Sequence, residues 1–266
     1  MSKNQEYIFC IDSDGCAMDT MTYKHQLFFG PLAAKVFDVP NQGDFLKKWD
    51  EINLFSKTRG VNRFVGLVMG LEYAGIVGID ALKQWVDSTL SLSNASLEKA
   101  IEEKSSDDLK KALKWSREVN QHIKDYQGDV LAFSGVREGL AKLHELGKVY
   151  VVSSANREAV EEEWSNQGLL EYVDNLYCQD FGKKEDVIAT LVAEGYSQDH
   201  VLMVGDSPGD LAAAEQNRVA FYPILVGKET ESWKNLKDSF SQKFTNGNIT
   251  TEALEELKQA FWENLE

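Results

Sequence analysis

The sequence is poor in cysteine: only Cys10, Cys16 and Cys178 occur in 266 residues, and no CxxC pair is among them. An odd, scattered set of thiols excludes a disulfide framework and gives no zinc-ligand spacing, so the three read as small buried hydrophobes. Positive charge is also scarce. Lysine and arginine together number 28 against 43 acidic residues, a formal net charge of −15. Such a field repels a phosphate backbone or an anionic lipid surface, which sets aside nucleic acid and membrane as partners. No apolar run reaches the roughly 18 residues of a membrane span, and the polar start of the chain does not read as a signal peptide, so a soluble, cytoplasmic protein is expected. The four histidines (His25, His122, His144, His200) show neither metal nor triad spacing and are expected on exposed helix positions. Neither internal repeats nor low-complexity segments occur.

What is present is a hydrophobic fraction of 43%, enough for one large core and a smaller one, so two domains are expected. The run Tyr7-Ile8-Phe9-Cys10-Ile11 reads as a buried parallel strand ending in Asp12-Ser13-Asp14-Gly15, a tight turn. From about Tyr23 to Gln127 the pattern is helical, over Lys24 to Phe37, Val61 to Tyr73, Ala81 to Leu92, Leu97 to Glu103 and Asp107 to Tyr126. Strands at Val149 to Val152, Leu176 to Cys178, Val201 to Val204 and Val219 to Leu225 then alternate with helices at Arg157 to Gln167, Glu185 to Glu194 and Gly209 to Gln216. Alternation of this kind predicts a doubly wound parallel α/β sheet, and Leu254, Leu257, Phe261 and Leu265 mark a closing helix.

A parallel sheet presents functional groups at the carboxyl ends of its strands. There the sequence sets Asp12 and Asp14, then Ser153, then Lys183 and Lys184, then Asp206 and Asp210. Converging carboxylates repel unless a cation neutralises them, and an all-oxygen cluster suits Mg²⁺. Asp206 and Asp210 could also serve as a helix N-cap and a first-turn acid. Either Ser153 or Ser154 could face a phosphate, with Asn156 close behind; Ser153 directly follows the strand. Either lysine could bind it, with Lys184 favoured by its spacing to the next helix.

Asp12-Ser13-Asp14-Gly15 resembles the DxDG(T/V) first motif of the haloacid dehalogenase superfamily. Ser153, the lysine pair and Val204-Gly205-Asp206-Ser207-Pro208-Gly209-Asp210, similar to hhGDxxxD, follow in that family's order. Phe133 to Val136 resembles the return from a helical cap. The resemblance implies a Rossmann-like core over residues 1–20 and 132–266, an all-α cap over 21–131, and a site in the crevice between them. It implies a magnesium-dependent phosphatase of small phosphorylated metabolites, with Asp12 as nucleophile and Asp14 as acid and base. Ser153 and Lys184 would hold the phosphoryl group, with Mg²⁺ on Asp12, the Asp14 carbonyl and Asp206, and Asp210 beside it. Asp14 argues against the dehalogenase branch, and Cys16 departs from the usual Thr or Val.

Alternative readings are a phosphomutase of the β-phosphoglucomutase kind, a phosphonate hydrolase using Lys57, and a non-catalytic metabolite-binding protein. Arg59 and Arg63, beside Gly60, are expected to form a substrate-recognition loop in the cap, or else a solvated helix start; His25 is a further basic candidate near the first motif.

Overall fold

The structure, a computed structural model, describes residues 5–265; the first four residues of the expected core and its last one lie outside the described residues. The chain divides into two compact units, Met1–Met21 with Val130–Glu266, and Thr22–Asp129. No helix among the described residues is long and apolar enough to cross a membrane.

The first unit is built on five parallel strands, β1 Ile8–Ile11, β2 Lys148–Val152, β3 Asn175–Tyr177, β4 Val201–Gly205 and β5 Ala220–Pro223, in the order β3-β2-β1-β4-β5. Period-two alternation sends Phe9 and Ile11 into one apolar cluster and Ile8 and Cys10 into another on the opposite face. Helices cover both faces, which is why these strands are continuous apolar runs rather than alternating ones. Register pairs Ile11 with Val151 on one side and Val204 on the other. The residues that follow, Asp12, then Ser153 and Asp206, therefore leave the sheet at its carboxyl edge. The chain builds outward from β1 to β3, then crosses to β4 and β5, so β1 and β4 flank the topological switch point where ligands bind in such sheets.

The second unit is helical, with a core that includes Phe29, Phe45, Trp49, Phe64, Leu67 and Trp115. Trp115 Nε1 donates to the Phe29 carbonyl at 2.9 Å, and its ring meets Phe29, Trp49 and Phe64 edge-on.

Several stretches differ from expectation. The helix expected over Lys24 to Phe37 is wound as a π-helix over Lys24–Phe29 and as an α-helix over Gly30–Val36, with Gly30 N–H donating to His25 O. Pro31 in the first turn of the α-helical part has no N–H to continue an α ladder through this point, so the preceding turn widens. A helix not anticipated, Gln42–Asp50, continues as the π-helix Glu51–Phe55; Phe45, Trp49 and Ile52 are its buried face, and Asn41 caps it. Helices also occupy Val136–Leu146, Glu229–Asn235 and Ser241–Thr245. The histidines divide: His122, stacked on Phe28, and His144 are exposed as expected, whereas His25 and His200 are half-buried and stack on Phe29 and Tyr7.

Candidate active site

Asp12 is the first residue past β1 and is buried. Its amide donates to the Val204 carbonyl at 3.0 Å, fixing it at the start of the turn. The turn closes on Ser13, whose carbonyl accepts the amides of Cys16, Ala17 and Met18 at 3.3, 3.0 and 2.8 Å. Gly15 takes φ +81°, a left-handed conformation that explains glycine at this position. Asp14, half-buried, has its carboxylate oxygen held by the hydroxyl of Thr20, which is fully buried.

After β4, Ser207 caps the helix Pro208–Asn217 and Asp210 is its reciprocal partner in a capping box. The first-turn role open to Asp210 is thus real, and it coexists with a second one. Oδ2 accepts from the Asp206 and Ser207 amides at 3.1 and 3.0 Å and from the Ser207 hydroxyl at 2.8 Å. Oδ1 faces Lys184 Nζ at 2.5 Å. A Cβ on Gly205 would lie 2.4 Å from the Asp210 carboxyl carbon, so only glycine lets this side chain lie against the strand end.

Lys184 opens the helix Lys184–Ala193 and reaches Asp12 Oδ1 at 2.8 Å as well as Asp210. Lys183 is the residue before that helix, with an exposed ammonium 4.0 Å from Glu185. Of the two lysines, the structure brings Lys184 into the cluster. Donor atoms of Asp12, Asp206 and Asp210, all buried, lie within 4.8 Å of one another. Burial, then repulsion from Asp210 and Asp206, lifts the Asp12 carboxyl well above the usual range against the pull of Lys184. Burial would lower the Lys184 ammonium, but Asp12 and Asp210 outweigh it and hold it above the ordinary lysine value. Lys184 touches two of the three buried carboxylates, Asp12 and Asp210, and the converging all-oxygen donor set fits a hard divalent cation.

Ser153 is buried at the end of β2; its amide donates to Tyr177 O at 2.9 Å and its hydroxyl accepts from the Ala155 amide at 3.1 Å. Ser154 and Asn156 are exposed, and the Asn156 side-chain oxygen caps the helix Arg157–Asn166 by accepting from the Glu158 and Ala159 amides. Cys16 is fully buried with Sγ 3.6 Å from Val204 O, and burial raises its thiol well above the ordinary value, which keeps it an inert packing group.

Of the two readings of the 56–63 segment, a solvated helix start does not fit Arg59, which is buried. Arg59 is buried and donates Nη1 to the Leu54 carbonyl at 2.7 Å, inside a turn also tied by Thr58 Oγ1 to Ile52 O. Half-buried Arg63 donates to Ser116 and Asn120 at 3.2 and 2.6 Å and lies over the Phe29 ring. Lys57 is exposed. In the other helices, His25 Nδ1 accepts from Trp49 Nε1 at 3.1 Å. Thr20 shows its role only in the structure, since a threonine six residues past an aspartate carries no signal in sequence.

The family model for haloacid dehalogenase-like hydrolases matches residues 79–224, more than half of the chain. The match takes in Ser153, Lys184, Asp206 and Asp210 and begins after Asp12 and Asp14. Among curated proteins no match was found. Among solved structures, the chain is similar to a candidate phosphoglycolate phosphatase from Lactobacillus delbrueckii subsp. bulgaricus, at 17% identity and TM-score 0.54, over 97% of this chain and 98% of that one. A haloacid dehalogenase-like protein of unknown function from Agrobacterium tumefaciens gives 14% identity, TM-score 0.52 and coverage of 88% and 91%. A candidate phosphoglycolate phosphatase from Haemophilus somnus gives 15%, 0.51 and 84% and 86%. These likenesses show the fold, and the match across more than half the sequence shows that the chain belongs to the haloacid dehalogenase-like hydrolase family.

Proposed function

We propose that the protein is a magnesium-dependent phosphatase that hydrolyses a small phosphorylated metabolite through a phosphoryl group carried on Asp12. The observation that carries this reading is the buried cluster in which Lys184 touches Asp12 and Asp210 beside Asp206, with Asp14 two residues beyond the nucleophile.

Asp12 Oδ attacks phosphorus, the ester bond breaks, and Asp14 delivers a proton to the leaving oxygen. Thr20 holds the Asp14 carboxyl in place by donating to it. Water, deprotonated by Asp14, then cleaves the acyl phosphate and frees Asp12. Lys184 and the Ser153 hydroxyl offer donors to the phosphoryl oxygens as charge spreads over them. Asp12, Asp206 and the Asp14 carbonyl would hold Mg²⁺, which supplies charge neutralisation at the phosphoryl oxygens. Asp210 is satisfied by Lys184 and by the Ser207 turn, and so keeps the lysine and the metal-binding loop in register. The 21–131 segment is assigned as the substrate-selecting domain.

The test is a phosphoester panel assayed for inorganic phosphate with Mg²⁺, with EDTA, and with Asp12→Asn. Phosphate release that needs the metal and vanishes in the variant is expected, with the variant folded, since an amide matches the carboxylate in shape but cannot attack. Retention of phosphate on an organic product would indicate a mutase, and turnover in chelator or by the variant would refute the mechanism.

A further inference from the structure

Ser13 lies between the two carboxylates of the first motif, and each of its polar atoms takes part in a hydrogen bond. Its amide donates to Asp12 Oδ1 at 2.7 Å, its carbonyl takes the three amides of Cys16, Ala17 and Met18, and its Oγ accepts from Trp164 Nε1 at 2.9 Å. Both Ser13 and Trp164 are fully buried. Trp164 belongs to the helix Arg157–Asn166, which follows directly on the Ser153 turn, so its indole joins the nucleophile turn to the segment that carries the second motif. A second indole, Trp233 Nε1, donates to the Cys16 carbonyl at 2.9 Å and holds the far end of the same turn.

A buried hydroxyl paired with an indole adds little net stability over two apolar groups of the same shape. What the pair adds is direction, because a hydrogen bond has a preferred line and an apolar contact has none. Here that line runs into the one residue separating Asp12 from Asp14. We infer that Trp164 is a positioning residue for the phosphoryl transfer proposed above: its N–H, acting through Ser13 Oγ, sets the direction in which the turn presents both carboxylates. The inference rests on that reading of the site for its kinetic consequence, while its structural consequence stands alone.

The experiment uses the full chain as Trp164→Phe, Ser13→Ala and the double variant, which leaves neither partner unsatisfied. In Trp164→Phe and in the double variant kcat is expected to fall about tenfold with KM held within about twofold, the result of a small misplacement of reacting groups. In the double variant Tm should rise above that of Trp164→Phe, short of the wild type by the space the indole leaves, while kcat stays low, since the unsatisfied donor and acceptor are both gone. Recovery of kcat together with Tm overturns the inference, because the pair then serves packing alone. Crystal structures of wild type and double variant decide independently of any assay: a displaced Asp12–Asp14 turn is expected, and a superimposable turn overturns the inference. If the wild type turns over no phosphoester, the proposed function fails, and the position of the turn still decides the role of Trp164.

Discussion

The Lys184 ammonium stands 2.8 Å from the Asp12 carboxylate and, on its other side, 2.5 Å from Asp210. It touches two of three clustered buried carboxylates, so in the proposed transfer it offsets part of the negative charge around the nucleophile and supplies a donor to the phosphoryl oxygens. Lys184→Met keeps the length and removes the charge. Its kcat with Mg²⁺ is expected to fall about 10²- to 10³-fold, the usual consequence of deleting one preorganised donor. Tm should fall too, because two carboxylates lose their buried counter-charge. Initial rates and thermal melts check both, and a variant within threefold of wild type, about 0.7 kcal/mol, would remove Lys184 from the chemistry.

Gly205→Ala tests the other anchor of that lysine. The added Cβ would lie 2.4 Å from the Asp210 carboxyl carbon, and Asp210 has no room to retreat because it is fully buried and bonded to the Ser207 turn. Overpacking of this kind costs about 1–3 kcal/mol. The displaced Asp210 carries Lys184 with it, so kcat should drop about 10²-fold, as for an ångström-scale misplacement. Unchanged kinetics would show that the Asp210 to Lys184 contact is dispensable.

Far from the site, Asp174 ties β2 to the start of β3: Oδ2 accepts from the Val149 amide and Oδ1 from Lys148 Nζ, both at 2.9 Å, and His144 lies 3.5 Å away. Burial pushes this carboxyl up, but the Val149 amide, Lys148 and His144 outweigh it and hold it below the ordinary value. A carboxyl depressed in the folded state contributes stability that is complete above its unfolded value, about 3.9, and is lost as pH falls through the lower folded value. Asp174→Asn should therefore lower Tm by about 2–4 °C at pH 7, corresponding to roughly 1 kcal/mol. Below the folded value the two proteins should melt together. A Tm difference that persists there would place the effect in packing rather than charge.

The strands were legible because fully covered parallel strands leave unbroken apolar runs, and Asp12, Ser153 and Asp206 were legible because they directly follow such runs. Lys184 could be preferred from its spacing to Val187 and Ile188, both of which are buried. Thr20 and Trp164 were not legible: each acts through a side-chain hydrogen bond whose partner is fixed by tertiary placement, and Trp164 lies 151 residues from Ser13. The helix Gln42–Asp50 was obscured by Gly43 and by clustered charges, although Phe45, Trp49 and Ile52 keep helical spacing. The Leu54 carbonyl that Arg59 meets and the Phe29 ring under Arg63 do not show in sequence.

Arg63 carries the last prediction, because its contacts change what its loss should do. The guanidinium lies 4.9 Å from the Phe29 ring centroid and donates to Ser116 and Asn120. Those groups belong to the helical unit's own packing, which Phe29 and Ser116 help to bury. Arg63→Ala should thus cost about 1–2 kcal/mol, from a cation–π contact and charged hydrogen bonds that overlap and do not sum. Arg63→Lys should regain part of it, since an ammonium keeps the positive charge but lacks the planar guanidinium that lies over the Phe29 ring. The kinetic consequence then differs from that of a substrate-binding arginine. If Arg63 serves the unit's fold, activity toward a metabolite and toward a generic ester such as p-nitrophenyl phosphate should fall in parallel with Tm. An unchanged Tm with a selective loss on the metabolite would place Arg63 in substrate recognition and argue against the structural role.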